Sequence, residues 1–155
     1  MKQGGRSRIN RLSQSPEMQV MRCLLDVKIS SDEPFWVPRS VFYQHFDQDD
    51  FLCRESIDVV SSYLASWFYI PEDGKLRFEL PAVHFVAGKT QFINGRHRTA
   101  VLLSHLDTLP IAFLLLRCGL PDRQARQLLE HMDVSPIKLD EWIELPDLPV
   151  FEQLP

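Results

Sequence analysis

This chain of 155 residues is short of the features that mark several large classes of protein. No apolar run approaches the ~20 residues that a membrane helix needs. The longest such run, 111–116, reads as a buried strand instead. No apolar stretch follows the basic, polar N-terminus, so a secretory leader is not expected and a cytoplasmic setting is. The three cysteines, Cys23, Cys53 and Cys118, form no C-x-x-C pair. That argues against a metal knuckle or a disulfide framework and fits reduced, buried thiols. There is no Walker A loop, no G-x-S-x-G elbow, no kinase signature and no internal repeat. His45, His84, His105 and His131 show no paired metal spacing. A net charge of −4 argues against a protein that coats nucleic acid non-specifically.

What is present suits one α+β domain: 45% of residues are hydrophobic and 25% charged. Residues 1–17 carry Lys2, Arg6, Arg8 and Arg11 and read as a basic, poorly ordered arm that could touch phosphates. The domain proper spans 18–155, and its tail, 134–155, is acidic and proline-rich. Apolar density predicts a strand over 18–29. Pro38 opens a short helix through Tyr43. Ile57, Val60, Leu64, Trp67 and Phe68 recur at helical spacing and predict a helix over 52–69. Alternation predicts a strand over 76–80, and strands follow over 82–86 and 90–93 around a turn at Gly88-Lys89. A helix is expected over 95–106, a connection over 107–110 and a central strand over 111–117. Pro121 opens the last helix, buried through Ala125, Leu128, Leu129 and Met132. The tail, with Trp142, Leu145, Leu148, Val150 and Phe151, exposes too much apolar area to stay free and should pack on the body or on a second subunit.

The chemistry concentrates at 90–100, TQFINGRHRTA, where a strand runs through a glycine turn into a helix. The first N–H groups of a helix lack partners within it, and the dipole makes that end positive. Asn94 is placed to cap, and Gly95 to let a ligand approach the backbone. Arg96, His97 and Arg98 crowd the same end, where cations destabilise a helix. A bound oxyanion reverses the sign of that interaction. Arg96 and Arg98, two positions apart, cannot point the same way, so one could clamp the ligand while the other pairs with an acid or a second phosphate. His97 could donate to phosphate or act as the catalytic general acid. The competing reading is a basic turn paired with nearby carboxylates; Glu79, His84 and Lys89 could reach it. Asp47, Asp49 and Asp50 could hold a divalent cation or cap the helix that follows.

The segment Phe92-Ile93-Asn94-Gly95-Arg96-His97-Arg98-Thr99-Ala100, followed by Leu109-Pro110-Ile111, resembles the signature of the ParB/sulfiredoxin superfamily. Within it, the segment is most similar to the plasmid fertility inhibition factor family, with its F-x-x-G-R-H-R-x-A pattern. The resemblance implies a small mixed sheet with flanking helices. It also implies nucleotide phosphates, ATP or CTP, held by the turn, here Asn94, Gly95, Arg96, His97, Arg98 and Thr99; DNA phosphates are the other ligand that turn could take, and Mg²⁺ could accompany a nucleotide. Relatives are linked to nuclease or nucleotide-hydrolysing activity, and fertility inhibition members block conjugative DNA transfer by acting on the transfer machinery or its DNA. Sulfiredoxins carry a catalytic cysteine where Arg96 stands here, so sulfinic acid reduction is not implied. The chain is too short for the helix-turn-helix and dimer domains of a segregation protein. A non-catalytic inhibitor that keeps the fold and binds a protein partner, and a small DNA-binding module, are the rival readings.

Overall fold

A computed structural model describes residues 20–46, 67–103 and 105–146. The basic arm, the acidic run at 47–50, most of the expected helix at 52–69 and the tail beyond 146 lie outside the described residues.

The described chain is mixed α+β. Its strands are β1 (Val20–Asp26), β2 (Asp32–Pro38), β3 (Phe68–Tyr69), β4 (Arg77–Glu79), β5 (Ala82–Val86), β6 (Lys89–Asn94), β7 (Thr108–Leu114), β8 (Leu116–Arg117), β9 (Leu120–Pro121), β10 (Ser135–Pro136) and β11 (Ile143–Pro146). Its helices are α1 (Arg39–His45), α2 (Arg96–Leu103) and α3 (Arg123–Glu130). Two small mixed sheets carry the fold, ordered β11-β1-β4-β3 and β10-β2-β7-β5-β6, and β8 and β9 form a separate hairpin. The pairs β1–β4 and β5–β7 are parallel and the remaining pairs of strands antiparallel. As its doubly apolar sequence requires, β7 is interior, with Ile111, Ala112 and Phe113 buried between β2 and β5.

The chain passes from the first sheet to the second through Leu80-Pro81, the two-residue crossover between β4 and β5. The Leu80 N–H donates to the Asp26 carbonyl in the first sheet, at 2.9 Å. The Pro81 carbonyl accepts from Ala112 N–H in the second, also at 2.9 Å. Phenylalanines fill the core: Phe42 against Phe46, Phe46 against Phe92, Phe68 against Phe78 and Phe35 against Phe113, with centroids 4.4–5.7 Å apart.

Several elements depart from the sequence expectation. Segment 32–38, broken by Pro34 and Pro38, is a full strand. The Pro34 carbonyl accepts from Ile137 N–H, so residue 34 turns its edge toward β10 and its missing donor leaves the β7 ladder intact. Likewise Pro110 is a strand residue rather than part of a connection. The Ala112 N–H points to the crossover beside β5, and Pro110, of the same parity, falls one pleat before β5 begins at Ala82. Phe68-Tyr69, expected at the end of a helix, pairs antiparallel with Phe78-Arg77, because Phe68 buries fully against Phe78 across the strands. The β5–β6 turn is Ala87-Gly88, one residue earlier than expected, both residues in left-handed conformations. Pro121 belongs to β9, and Asp122 begins α3 by accepting the Ala125 N–H at 3.1 Å. Ile143 and Leu145 bury as part of β11, whereas Trp142 stays 42% exposed with Arg22 over its ring.

Candidate functional site

The turn 94–99 sits on the crossover between the two sheets. β6 delivers Asn94, Gly95 takes φ +83°, and α2 begins at Arg96. The first intrahelical bond is Thr99 N–H to the Gly95 carbonyl, at 2.9 Å. Gly95, not Asn94, therefore occupies the capping position. The N–H groups of Arg96, His97 and Arg98 precede that bond, at the positive end of the helix, where the first turn holds no acid. The Thr99 hydroxyl also donates to the Gly95 carbonyl, at 3.0 Å, and is fully buried. Every residue of α2 from Arg98 to Leu103 is buried, so the helix lacks the alternating wet and dry faces of a surface helix.

Gly95 is required by packing within the chain. A Cβ there would lie 2.6 Å from Pro81 Cα, 2.7 Å from Pro81 Cβ and 2.8 Å from an Arg98 terminal nitrogen. The side expected to admit a ligand is thus filled by the crossover proline. The other side opens into a shallow pocket of about 350 Å³ lined by Phe92, Ile93, Asn94, Gly95, Arg96 and His97.

The two arginines do diverge. Arg96 and His97 are exposed at the pocket. Arg98 turns inward and keeps only 9% of its surface. Its guanidinium donates to Asn94 Oδ1 at 3.0 Å and to the Leu80 carbonyl at 3.3 Å, and lies 3.8 Å from Glu79. Burial disfavours its charge, and Glu79 offsets part of that cost. Its Nε is buried without a partner. Glu79 in turn neighbours Asp26 across the β1–β4 ladder. Burial pushes the Asp26 carboxyl up, Arg77 pulls it down and Glu79 pushes it up further, and the carboxylate accepts from the Tyr69 hydroxyl. Arg98 is therefore a brace from α2 to the crossover and to β4. Thr99 lies behind the pocket with it rather than in its lining.

The brace fixes how the pocket looks to a ligand. A guanidinium has only donors, so the Asn94 atom facing Arg98 must be the amide oxygen. The amide nitrogen is left as the donor end. Together with the first-turn N–H groups, Arg96 and His97, the pocket presents donors and positive charge, suited to an oxyanion. Among the described residues no group of three or more His, Cys, Asp or Glu could hold a metal ion. Of the other candidates, Glu79 reaches the turn through Arg98, whereas His84 and Lys89 lie toward the far end of the β5–β6 hairpin. His105 lies past the end of α2, and Asp47, Asp49 and Asp50 are outside the described residues.

Sequence reasoning missed Pro81 and Leu80 as parts of this site. The only signal was the Leu80-Pro81 break between two alternating runs, which marks a change of sheet. No protein-family model, curated protein or solved structure matches this chain.

Proposed function

We propose that this domain binds the phosphates of a nucleotide or of DNA at the Asn94–His97 turn, with the fold of the ParB/sulfiredoxin type and a role in plasmid fertility inhibition. The observation that carries the reading is the pocket at the start of α2, with the Asn94 amide oriented by Arg98 and with Arg96 and His97 at its rim. In this reading the amides and Asn94 hold the equatorial oxygens, and Arg96 neutralises charge. His97 is the group available to protonate a leaving oxygen in ATP or DNA hydrolysis. Mg²⁺ would arrive on the nucleotide and be held mainly by its phosphates. The F-x-x-G-R-H-R-x-A resemblance supports the biological role.

Titration of ATP, CTP and short DNA tests this, with hydrolysis and DNA cutting followed in parallel. Arg96→Ala should cost about tenfold to a hundredfold in affinity, from a charge-assisted bond worth ~1.5–3 kcal/mol. Asn94→Asp keeps an acceptor for Arg98 but turns a carboxylate toward the pocket, and should abolish binding without unfolding the chain. Affinity should fall as salt rises.

A second reading, a non-catalytic inhibitor that binds a protein partner of the conjugation machinery, draws on the exposed Trp142 beside β11. It gains if wild type binds none of the three ligands, and the enzyme is removed if they bind without turnover.

A further inference from the structure

A second pocket lies at the other end of β5 from the α2 turn, beyond the C-terminal ends of the parallel pair β5 and β7. Five residues of strand separate the two, roughly 15 Å. The second pocket measures about 320 Å³, and its lining includes His84, Val86, Leu114, Leu116, Arg117 and Asp122. That is at the small end of the ~300–1,000 Å³ of ligand pockets.

Two hairpins border it, β5–β6 through Val86 and Ala87 and β8–β9 through Leu116 and Arg117. Ala87-Gly88 takes φ 51° and 80°, and Cys118-Gly119 takes 52° and 78°. Each tip is a two-residue loop closing a registered pair, Val86 with Lys89 and Arg117 with Leu120. Such turns are tight, which favours a preformed cleft. By the pleat, His84 and Leu114 share one face, one residue on from the paired Val83 and Phe113, and Leu116 completes the apolar floor there, whereas Phe85 turns to the opposite face and stacks on Phe113 at 5.8 Å and 25°.

The polar groups are unequal in their commitments. The Asp122 carboxylate caps α3 through the Ala125 N–H, and its own N–H donates to the Leu115 carbonyl at 2.9 Å. The His84 and Arg117 side chains make no hydrogen bond or ion pair within the chain among the described residues. A half-buried imidazole and a guanidinium over an apolar floor match a ligand with an acidic head and an apolar body. We propose that this pocket binds a small organic carboxylate, the carboxylate paired with Arg117 and His84 and the apolar body laid on Leu114 and Leu116. The proposal is independent of the phosphate reading, because none of these residues belongs to the α2 turn.

The test is an amide-resolved NMR titration of the full chain with benzoate, with benzyl alcohol as the neutral control and inorganic phosphate as the second anion. Benzoate, a fragment, should bind with a Kd on the order of 1 mM and shift amides within 84–87 and 114–122. Benzyl alcohol should bind at least about tenfold more weakly, from the loss of the charge-assisted bond. Arg117→Gln, on an exposed hairpin tip, should weaken benzoate by a similar factor while leaving the spectrum otherwise unchanged. No shift in these segments at 10 Kd overturns the proposal, as does equal binding of benzyl alcohol or unchanged benzoate affinity in Arg117→Gln. Phosphate shifting these same amides as strongly as benzoate would overturn the part played by the apolar floor.

Discussion

Gly95, Gly88 and Gly119 share nearly one backbone conformation, φ +83°, +80° and +78°, and differ in their surroundings. A Cβ at Gly88 or Gly119 meets nothing within 4 Å, whereas at Gly95 it meets Pro81 backbone at 2.6 Å. Substitution by alanine should therefore separate two costs. The left-handed conformation alone costs ~1–2 kcal/mol for a residue with a Cβ. Gly88→Ala and Gly119→Ala should show about that much. Gly95→Ala adds the overlap with Pro81, and overpacking of this kind costs ~1–3 kcal/mol. Relief by movement is limited, because Pro81 accepts from Ala112 while Leu80, beside it, is tied to Asp26 and Arg98. The total for Gly95→Ala is then ~2–5 kcal/mol, a large share of the ~5–15 kcal/mol of a typical domain. Urea unfolding of the three variants under one set of conditions measures it, provided the slope is unchanged. Equal losses for all three would refute the docking of the turn on the crossover.

Three further outcomes follow from the same contacts. Arg98→Ala should destabilise by ~1.5–3 kcal/mol, because it leaves the Leu80 carbonyl, Asn94 and Glu79 without their donor, and Glu79→Gln should cost less, since Glu79 is the more exposed partner; chemical denaturation reads both. Asp32 is 4% exposed, opposite Leu114, with both carboxylate oxygens unpartnered, and burial pushes its pKa up. Its contribution is full below the ordinary aspartate value of ~3.9 and is lost as pH rises through the higher folded value. Asp32→Asn should therefore melt above wild type at pH 7, with the advantage vanishing toward pH 3; a lower melting point at pH 7 counts against it. Of the cysteines expected to be buried, Cys23 is, but Cys118 lies exposed on the β8–β9 turn, so alkylation of the native protein should label Cys118 and spare Cys23, whose thiol burial pushes up to about 12; mass spectrometry of the peptides decides.

The parts legible in the sequence were those set by local periodicity and turn chemistry. The alternation of 76–80, the glycine turn between the short runs 82–86 and 90–93 and the doubly apolar 111–116 led to the observed strands and to a helix after Gly95. Local patterns failed where a distant partner decides. Pro34 and Pro110 look like breakers until the edges of β2 and β7 that need no donor are known. Phe68 fits a helical stripe as well as it fits the strand it forms, and only Phe78 distinguishes them. The site divides in the same way. Its charge and its helix start are written in consecutive residues. The inward turn of Arg98 and the need for Gly95 depend on Leu80 and Pro81, 18 and 14 positions away, which no short motif contains.

The central claim is that the donor pocket at the start of α2 holds a phosphate. Crystals of the chain grown with pyrophosphate or ATP test it most directly. The account predicts oxyanion density within hydrogen-bond distance of the Arg96 and His97 amides and the Asn94 amide nitrogen, with Arg98 still turned inward to Leu80. An empty pocket at saturating ligand, or a phosphate bound elsewhere while the turn stays unoccupied, would contradict it.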